Sequence, residues 1–412
     1  MQKNLNTTHL DCCYSDLNPN KGKLIEKSTC KKFNQQANIA SKYIKVICNY
    51  KGKLVYEDYF IFPAKLRVRR KKVLNRYNVL ILGLRSVSII NAYRKLSKFL
   101  NYLRYEMEVV EYTKYNAVSL NWINREALQN IIPLYTGMAY EDALKAYNQK
   151  HLNFIWEQYK REGYKILLAE DCVEHGVFRQ GILQNVTANY NFSPFMKLYE
   201  RLTGHISNGD CYICTSSKKS YKVVLDHYTS WSESIRENRE KHFAMLWINS
   251  LTTTQEAHKG LNMLEIAAQD LISFFKTLKV RRLLEDTMVF IISDRGYMNN
   301  ELYSIKQFKT EMKLPLLHIF LPIHMKVRQK RVVNQFMINR DKLVTPYDVH
   351  RTLETIVKFN TINFTYVQTK QKSMAKGISL FDKVPHRYCE SIGVNSDTCA
   401  CKYIAKYHRT KG

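Results

Sequence analysis

Residues Asp286–Gly296, read as DTMVFIISDRG, constrain the fold more than any other stretch of this chain. Met288–Ile292 is a short, continuous apolar run, and the turn-prone Ser-Asp-Arg-Gly of residues 293–296 follows at once. A run of that length bounded by a turn signal is a strand buried on both faces. Residues 78–82 repeat the form: they are apolar after Asn78, with Gly83-Leu84-Arg85-Ser86 behind them. In an open α/β sheet chemistry gathers beyond the carboxyl ends of the strands. Asp294 and Arg295 therefore stand where a site would be, and Arg85 is expected to be their neighbour.

Between these runs the pattern alternates. Helical spacing covers 90–106, 126–134 (ended by Pro133), 140–162 (closed by Gly163) and a long segment after Thr253-Thr-Gln-Glu256, a capping-box pattern. Strand-like runs occupy 164–169, 242–249, 288–292 and 316–321, and a last helix is expected from Thr345-Pro346 to about Phe359. Strands alternating with helices imply a mostly parallel sheet flanked by helices, the α/β class. Residues 1–72 alternate polar, cysteine-bearing loops with short strand patterns and read as a small β-rich cap. Residues 73–375 are expected to form the α/β domain, and 376–412 a cysteine-bearing tail.

The chain has 412 residues and a formal net charge of +28, from 64 Lys and Arg against 36 Asp and Glu. A balance this basic implies attraction to polyanions. The charge is spread thinly, only residues 65–72 (KLRVRRKK) form a dense run, and no recognisable nucleic-acid-binding motif accompanies it. The sequence holds no apolar run near the ~18–20 residues of a membrane span, and its first ten residues lack the apolar core of a secretion signal. Ten cysteines and four N-glycosylation patterns, at Asn6, Asn185, Asn191 and Asn363, point instead to an oxidising, extracellular or secretory compartment. The expectation is then a leader that is missing from this N-terminus. Zinc is disfavoured, because Cys211 and Cys214 have ligand spacing but no second pair matches them.

FIISDRG, LPLLHIFLP, LVTPYDVHRTLETI and VLILGLRSVSIINAYRKLSKFLNYL together resemble the alkaline phosphatase and sulfatase superfamily. They are closest to a branch of secreted or membrane-anchored animal proteins of uncharacterised function. The resemblance extends over nearly the whole chain, through residues 13–19, 163–171, and the closing Arg387-Tyr-Cys389 with Cys399 and Cys401. It implies an alkaline-phosphatase-like core, divalent metal such as zinc or calcium, and hydrolysis of phosphate or sulfate esters through a metal-activated oxygen nucleophile.

This chain departs from that pattern where the chemistry lies. Arg85 takes the place of an aspartate, and Arg295 that of the histidine in an Asp-His-Gly motif. Guanidinium stays protonated and has no lone pair to offer a metal. Ala127 aligns with the threonine nucleophile, and Thr253 and Thr254 lie in a segment that replaces a histidine-bearing one. Asp294 is retained, with Asp348 and His350 beyond it. The sequence therefore reads as an extracellular pseudoenzyme without catalytic residues, metal or other cofactor. Arg85 and Arg295 are its candidates for binding an anionic glycan or a phosphorylated ligand. An active hydrolase with a rebuilt site is the alternative, for which Ser86, Ser119, Thr136 or the Glu170-Asp171 pair offer groups; a basic nucleic-acid-binding protein is the third reading.

Overall fold

The computed structural model describes residues 10–20, 23–62, 76–119, 128–184, 186, 188–208, 211–252, 257–297, 305–359 and 376–400. Strands β1 (Leu10–Asn20), β2 (Lys23–Glu26), β3 (Lys31–Phe33), β4 (Tyr43–Tyr50) and β5 (Lys53–Ile61) form an antiparallel sheet near the N-terminus. Disulfides Cys12–Cys48 and Cys13–Cys30 cross-link it. Buried Asp58 on β5 ties it to the rest of the chain by accepting a 2.8 Å hydrogen bond from the Tyr199 hydroxyl.

The centre is a seven-stranded sheet of β6 (Asn78–Leu84), β7 (Val110–Glu111), β8 (Lys165–Glu170), β9 (Tyr190–Asn191), β13 (His242–Ile248), β14 (Thr287–Ile292) and β15 (Leu317–Phe320). A small sheet of β10 (Gly204–Asn208), β11 (Cys211–Thr215) and β12 (Lys218–Lys219) precedes β13 in the chain. The spatial order of the central sheet is β7-β15-β14-β6-β13-β8-β9, parallel from β14 through β9. The expected neighbours are adjacent: Ile292 on β14 pairs with Gly83 on β6. The two edge strands run the other way, β15 against β14 and β7 against β15.

Side chains alternate between two cores. Val79, Ile81, Phe243, Met245, Met288 and Phe290 face one side, where the helices α3 (Leu128–Thr136), α5 (Ile155–Arg161) and α12 (Pro346–Lys358) pack. Leu80, Leu82, Ala244, Leu246, Val289 and Ile291 face the other, covered by α1 (Ile89–Lys95), α2 (Ser97–Tyr105), α7 (Ser220–Glu237) and α8 (Ala257–Val280). Burial on both faces is why these strands read as unbroken apolar runs.

Three helix boundaries differ from the sequence reading. Residues 90–106 form two helices, α1 and α2, that meet at Leu96. Pro133 lies inside α3, which continues to Thr136, although an interior proline removes one backbone hydrogen bond and crowds the carbonyl four residues back. Residues 140–162 are likewise two helices, α4 (Tyr140–Asn148) and α5. Lys150 adopts a left-handed φ of 58° that ends the first, and the Glu157 carboxylate starts the second by accepting from the Phe154 N–H at 3.1 Å. The capping pattern at 253–256 and the basic run at 65–72 lie outside the described residues.

Candidate functional site

Four parallel strands end side by side, and each delivers polar residues to the same edge of the sheet. β6 delivers Arg85 and Ser86, β14 delivers Ser293, Asp294 and Arg295, β13 delivers Asn249 and Ser250, and β8 delivers Glu170 and Asp171. Ser86 takes a left-handed φ of 56°, which turns its N–H onto the Asp294 carboxylate at 2.8 Å; the next N–H, of Val87, donates to Ser293 Oγ at 2.8 Å. The β6 and β14 loops are thereby locked together through a buried carboxylate.

Asp294 Oδ2 lies 3.6 Å from Arg295 Nε, an ion pair too long to be a hydrogen bond, and both side chains are buried. Burial lowers the Arg295 pKa, Asp294 opposes that shift, and the charge of Arg85 adds to it. Arg85 and Arg295 thus follow the ends of neighbouring strands, and the charge of the first is felt at the second. Arg85 is only partly buried, and its Nη1 donates to the His175 carbonyl at 2.6 Å while its own carbonyl accepts from Thr252 Oγ1.

The other half of the edge is acidic. Glu170 and Asp171 are fully buried, and burial pushes their pKa values up to about 8 and about 6. Asp171 accepts from the Asn249 N–H at 2.6 Å and from the Ser250 hydroxyl. Glu170 accepts from the Phe178 N–H at 3.3 Å, and Gly176 leaves room for its carboxylate, since a Cβ there would stand 2.3 Å from Oε2. Glu200, on the helix α6 (Ser193–Thr203), is a third buried carboxyl, pushed up to about 8 by burial and by Asp171; it accepts from the Cys172 and Val173 N–H groups. Tyr135 of α3 lies within the electrostatic reach of both Glu170 and Asp294, and its hydroxyl accepts from the Trp247 indole.

The remaining candidates go elsewhere. Asp348 accepts from the Thr345 and Ile378 N–H groups, both at 2.7 Å, and from Arg387, so it fastens the start of α12 to the C-terminal segment. His350 donates from Nδ1 to the Leu134 carbonyl at 3.0 Å, and burial lowers its pKa; it joins α12 to α3. Thr136 donates to the Ile132 carbonyl, and Ser119 bonds Gln129. Ala127, Thr253, Thr254, Asn6, Asn185 and Asn363 lie outside the described residues; Asn191 is exposed. Glu200 and Tyr135 were missed as site residues. A glutamate beside the apolar face of Phe195, Met196 and Tyr199 was the available signal for the first, and Tyr135 carries none.

The ester-cleaving metals of the superfamily need several oxygen or imidazole donors converging on one point. The residues present do not fit that requirement: the loops after β6 and β14 carry Arg85 and Arg295, which have no lone pair to give, and among the described residues no group of three or more His, Cys, Asp or Glu side chains is placed to hold an ion. Cys211 is bonded to Cys172 in a disulfide, and a further disulfide joins Cys389 to Cys399.

The fold is alkaline-phosphatase-like. The lipoteichoic acid synthase LtaP from Listeria monocytogenes aligns with 77% of this chain and 79% of its own, at 14% identity and a TM-score of 0.51. A protein in the alkaline phosphatase superfamily from Vibrio parahaemolyticus aligns over 76% and 73%, at 13% identity and a TM-score of 0.50. No curated protein matches the chain in sequence. A model of the family described as protein of unknown function (DUF229) matches residues 1–411, and the chain belongs to that family.

Proposed function

We propose that this chain is a pseudoenzyme on a hydrolase fold, which holds a phosphate or sulfate group between Arg85 and Arg295 without cleaving it. The observation that carries the reading is the corner between β6 and β14. Arg85 and Arg295 follow neighbouring strands, the charge of Arg85 repels that of buried Arg295, and Asp294 Oδ2 lies 3.6 Å from Arg295 Nε. A bound anion relieves that repulsion, and guanidinium recognises tetrahedral oxyanions through paired hydrogen bonds. Arginine offers no lone pair to a metal, so the metal-activated nucleophile of ester hydrolysis has no support from positions 85 and 295.

The ligand we propose is an acidic glycan or a phosphorylated partner outside the cell. Four disulfides and the exposed Asn191 support an oxidising, glycosylating compartment. Among the described residues no helix is long and apolar enough to cross a membrane. We read residues 1–72, 73–375 and 376–412 as cap, core and tail, a division supported by the Tyr199–Asp58 and Arg387–Asp348 contacts as braces between them.

Calorimetric titration of inorganic sulfate and phosphate into the purified chain tests the anion site. Saturable binding weakened ten-fold or more in an Arg85→Gln variant is expected; no binding by the unmodified chain overturns the reading. Arg85 is the residue to change because it is only partly buried.

A further inference from the structure

The helices α10 (Ile323–Arg328) and α11 (Lys330–Asn339) follow β15 and are joined through Gln329 alone. Between Glu311 and Asp341 the sequence holds six Lys and Arg and no acidic residue. Four large apolar side chains are exposed on the same stretch: Ile323 and Val327 on α10, and Met337 and Ile338, at 40% and 44%, on α11. Single exposed apolar residues are ordinary on a protein surface, whereas a patch of them bordered by polar groups marks an interaction face.

The inner side of α11 fixes it to the body of the protein. Phe336 is buried with its ring 5.2 Å from that of Phe381, Val332 and Val333 pack on the core, and the buried Asn339 side chain donates to the Leu380 and Asp382 carbonyls at 3.0 and 2.8 Å. The other side is left to solvent. Lys330, Arg331, Asn334, Met337 and Ile338 are all exposed, and at about 100° per residue they fall within roughly 120° of one another around the helix axis. Lys330 and Arg331 make no hydrogen bond or ion pair among the described residues. The remaining cations of the stretch are engaged: Lys326 donates to the Met107 and Glu108 carbonyls, Arg340 pairs with Asp341 at 3.3 Å, and Lys313 and Arg328 have partners of their own.

We infer that the exposed face of α11 docks on an anionic lipid surface, with Met337 and Ile338 entering the boundary between headgroups and acyl chains and with Lys330 and Arg331 pairing with the headgroups. Charge complementarity and the apolar pair together select that partner. A soluble acidic chain would neutralise the two cations and leave Met337 and Ile338 in water. An uncharged apolar surface would desolvate the cations without pairing them. A helix lying in the plane of an anionic interface satisfies both sets of groups, and this face carries no carboxylate to repel the headgroups. The face is separate from the Arg85 corner, which is built at the ends of β6 and β14.

The test is co-sedimentation of the full chain with vesicles of phosphatidylcholine mixed with phosphatidylserine, beside vesicles of phosphatidylcholine alone and a separate titration with soluble heparin. Partition onto the mixed vesicles is expected to exceed that onto the neutral ones at least ten-fold. At about five-fold for each cation, the double variant Lys330→Gln, Arg331→Gln should weaken it at least ten-fold. The double variant Met337→Ser, Ile338→Ser should weaken it by a similar factor. All four positions are exposed, so both variants should keep the unfolding midpoint of the unmodified chain. Arg85→Gln should bind the vesicles as the unmodified chain does, and a loss there overturns the assignment to α11. The inference is also overturned by equal partition onto neutral and mixed vesicles, or by unaltered partition in either double variant. Heparin binding that depends on Lys330 and Arg331, without vesicle binding, would assign the face to a soluble polyanion and overturn it as well.

Discussion

The two halves of the site edge face opposite electrostatic problems, although they lie at the ends of neighbouring strands. At the β6–β14 corner the charged groups are the guanidinium cations of buried Arg295 and part-exposed Arg85, the first beside Asp294 and the second on the His175 carbonyl. At the β8–β13 corner they are carboxyl groups, and burial raises Glu170, Asp171 and Glu200 instead of supplying each with a cation. The first corner is therefore fixed in charge, and the second is adjustable by pH. The guanidinium corner keeps its positive charge, and the acidic neighbours do not cancel it while they are protonated.

The comparison breaks most severely at Asp294. Asp294→Ala removes the carboxylate beside buried Arg295 and the acceptor of the Ser86 N–H, so a loss of about 3–5 kcal/mol is expected in denaturant unfolding. Next in size is the pH response of the acidic corner. The folded pKa values, about 8 for Glu170 and Glu200 and about 6 for Asp171, lie above those of the unfolded chain. The stability these groups contribute is complete below the ordinary carboxylate range and is lost as pH rises through about 6 to 8, by on the order of a few kcal/mol. Unfolding midpoints should fall across that window, and Glu170→Gln should flatten the fall.

A smaller effect sharpens the same corner. Gly176→Ala places a Cβ against the Glu170 carboxyl and should cost about 1–3 kcal/mol by thermal unfolding. Arg85→Gln should cost least, at most about 1 kcal/mol, because it removes one part-exposed hydrogen bond to His175. The two corners thus separate stability from binding: Arg85 has little weight in the first and, on the proposed function, much in the second.

Much of this arrangement was legible in the sequence. The apolar runs before Arg85 and Asp294 fixed two adjacent parallel strands, because burial on both faces leaves no alternation to misread. Helix ends were less legible: Pro133 is tolerated within α3, and the break near Lys150 depends on a left-handed residue that no glycine marks. The antiparallel course of β15 has no local signal, because an apolar run buried on both faces reads the same in either direction. Asp348 and His350 belong to motifs that resemble a catalytic family, yet their partners, Arg387 and the Leu134 carbonyl, are distant in the chain and make them structural. Glu200 reaches the site only because α6 packs on the β8 loop, a long-range contact that no local pattern encodes.

We have proposed that the β6–β14 corner holds oxyanions and does not hydrolyse their esters. The most direct measurement is turnover of phosphate-ester and sulfate-ester reporters by the unmodified chain, with and without added zinc, calcium or manganese, beside an Arg85→Asp, Arg295→His double variant. The account predicts no turnover by the unmodified chain under any of these conditions, and metal binding only in the double variant. Metal-dependent turnover by the unmodified chain would contradict it.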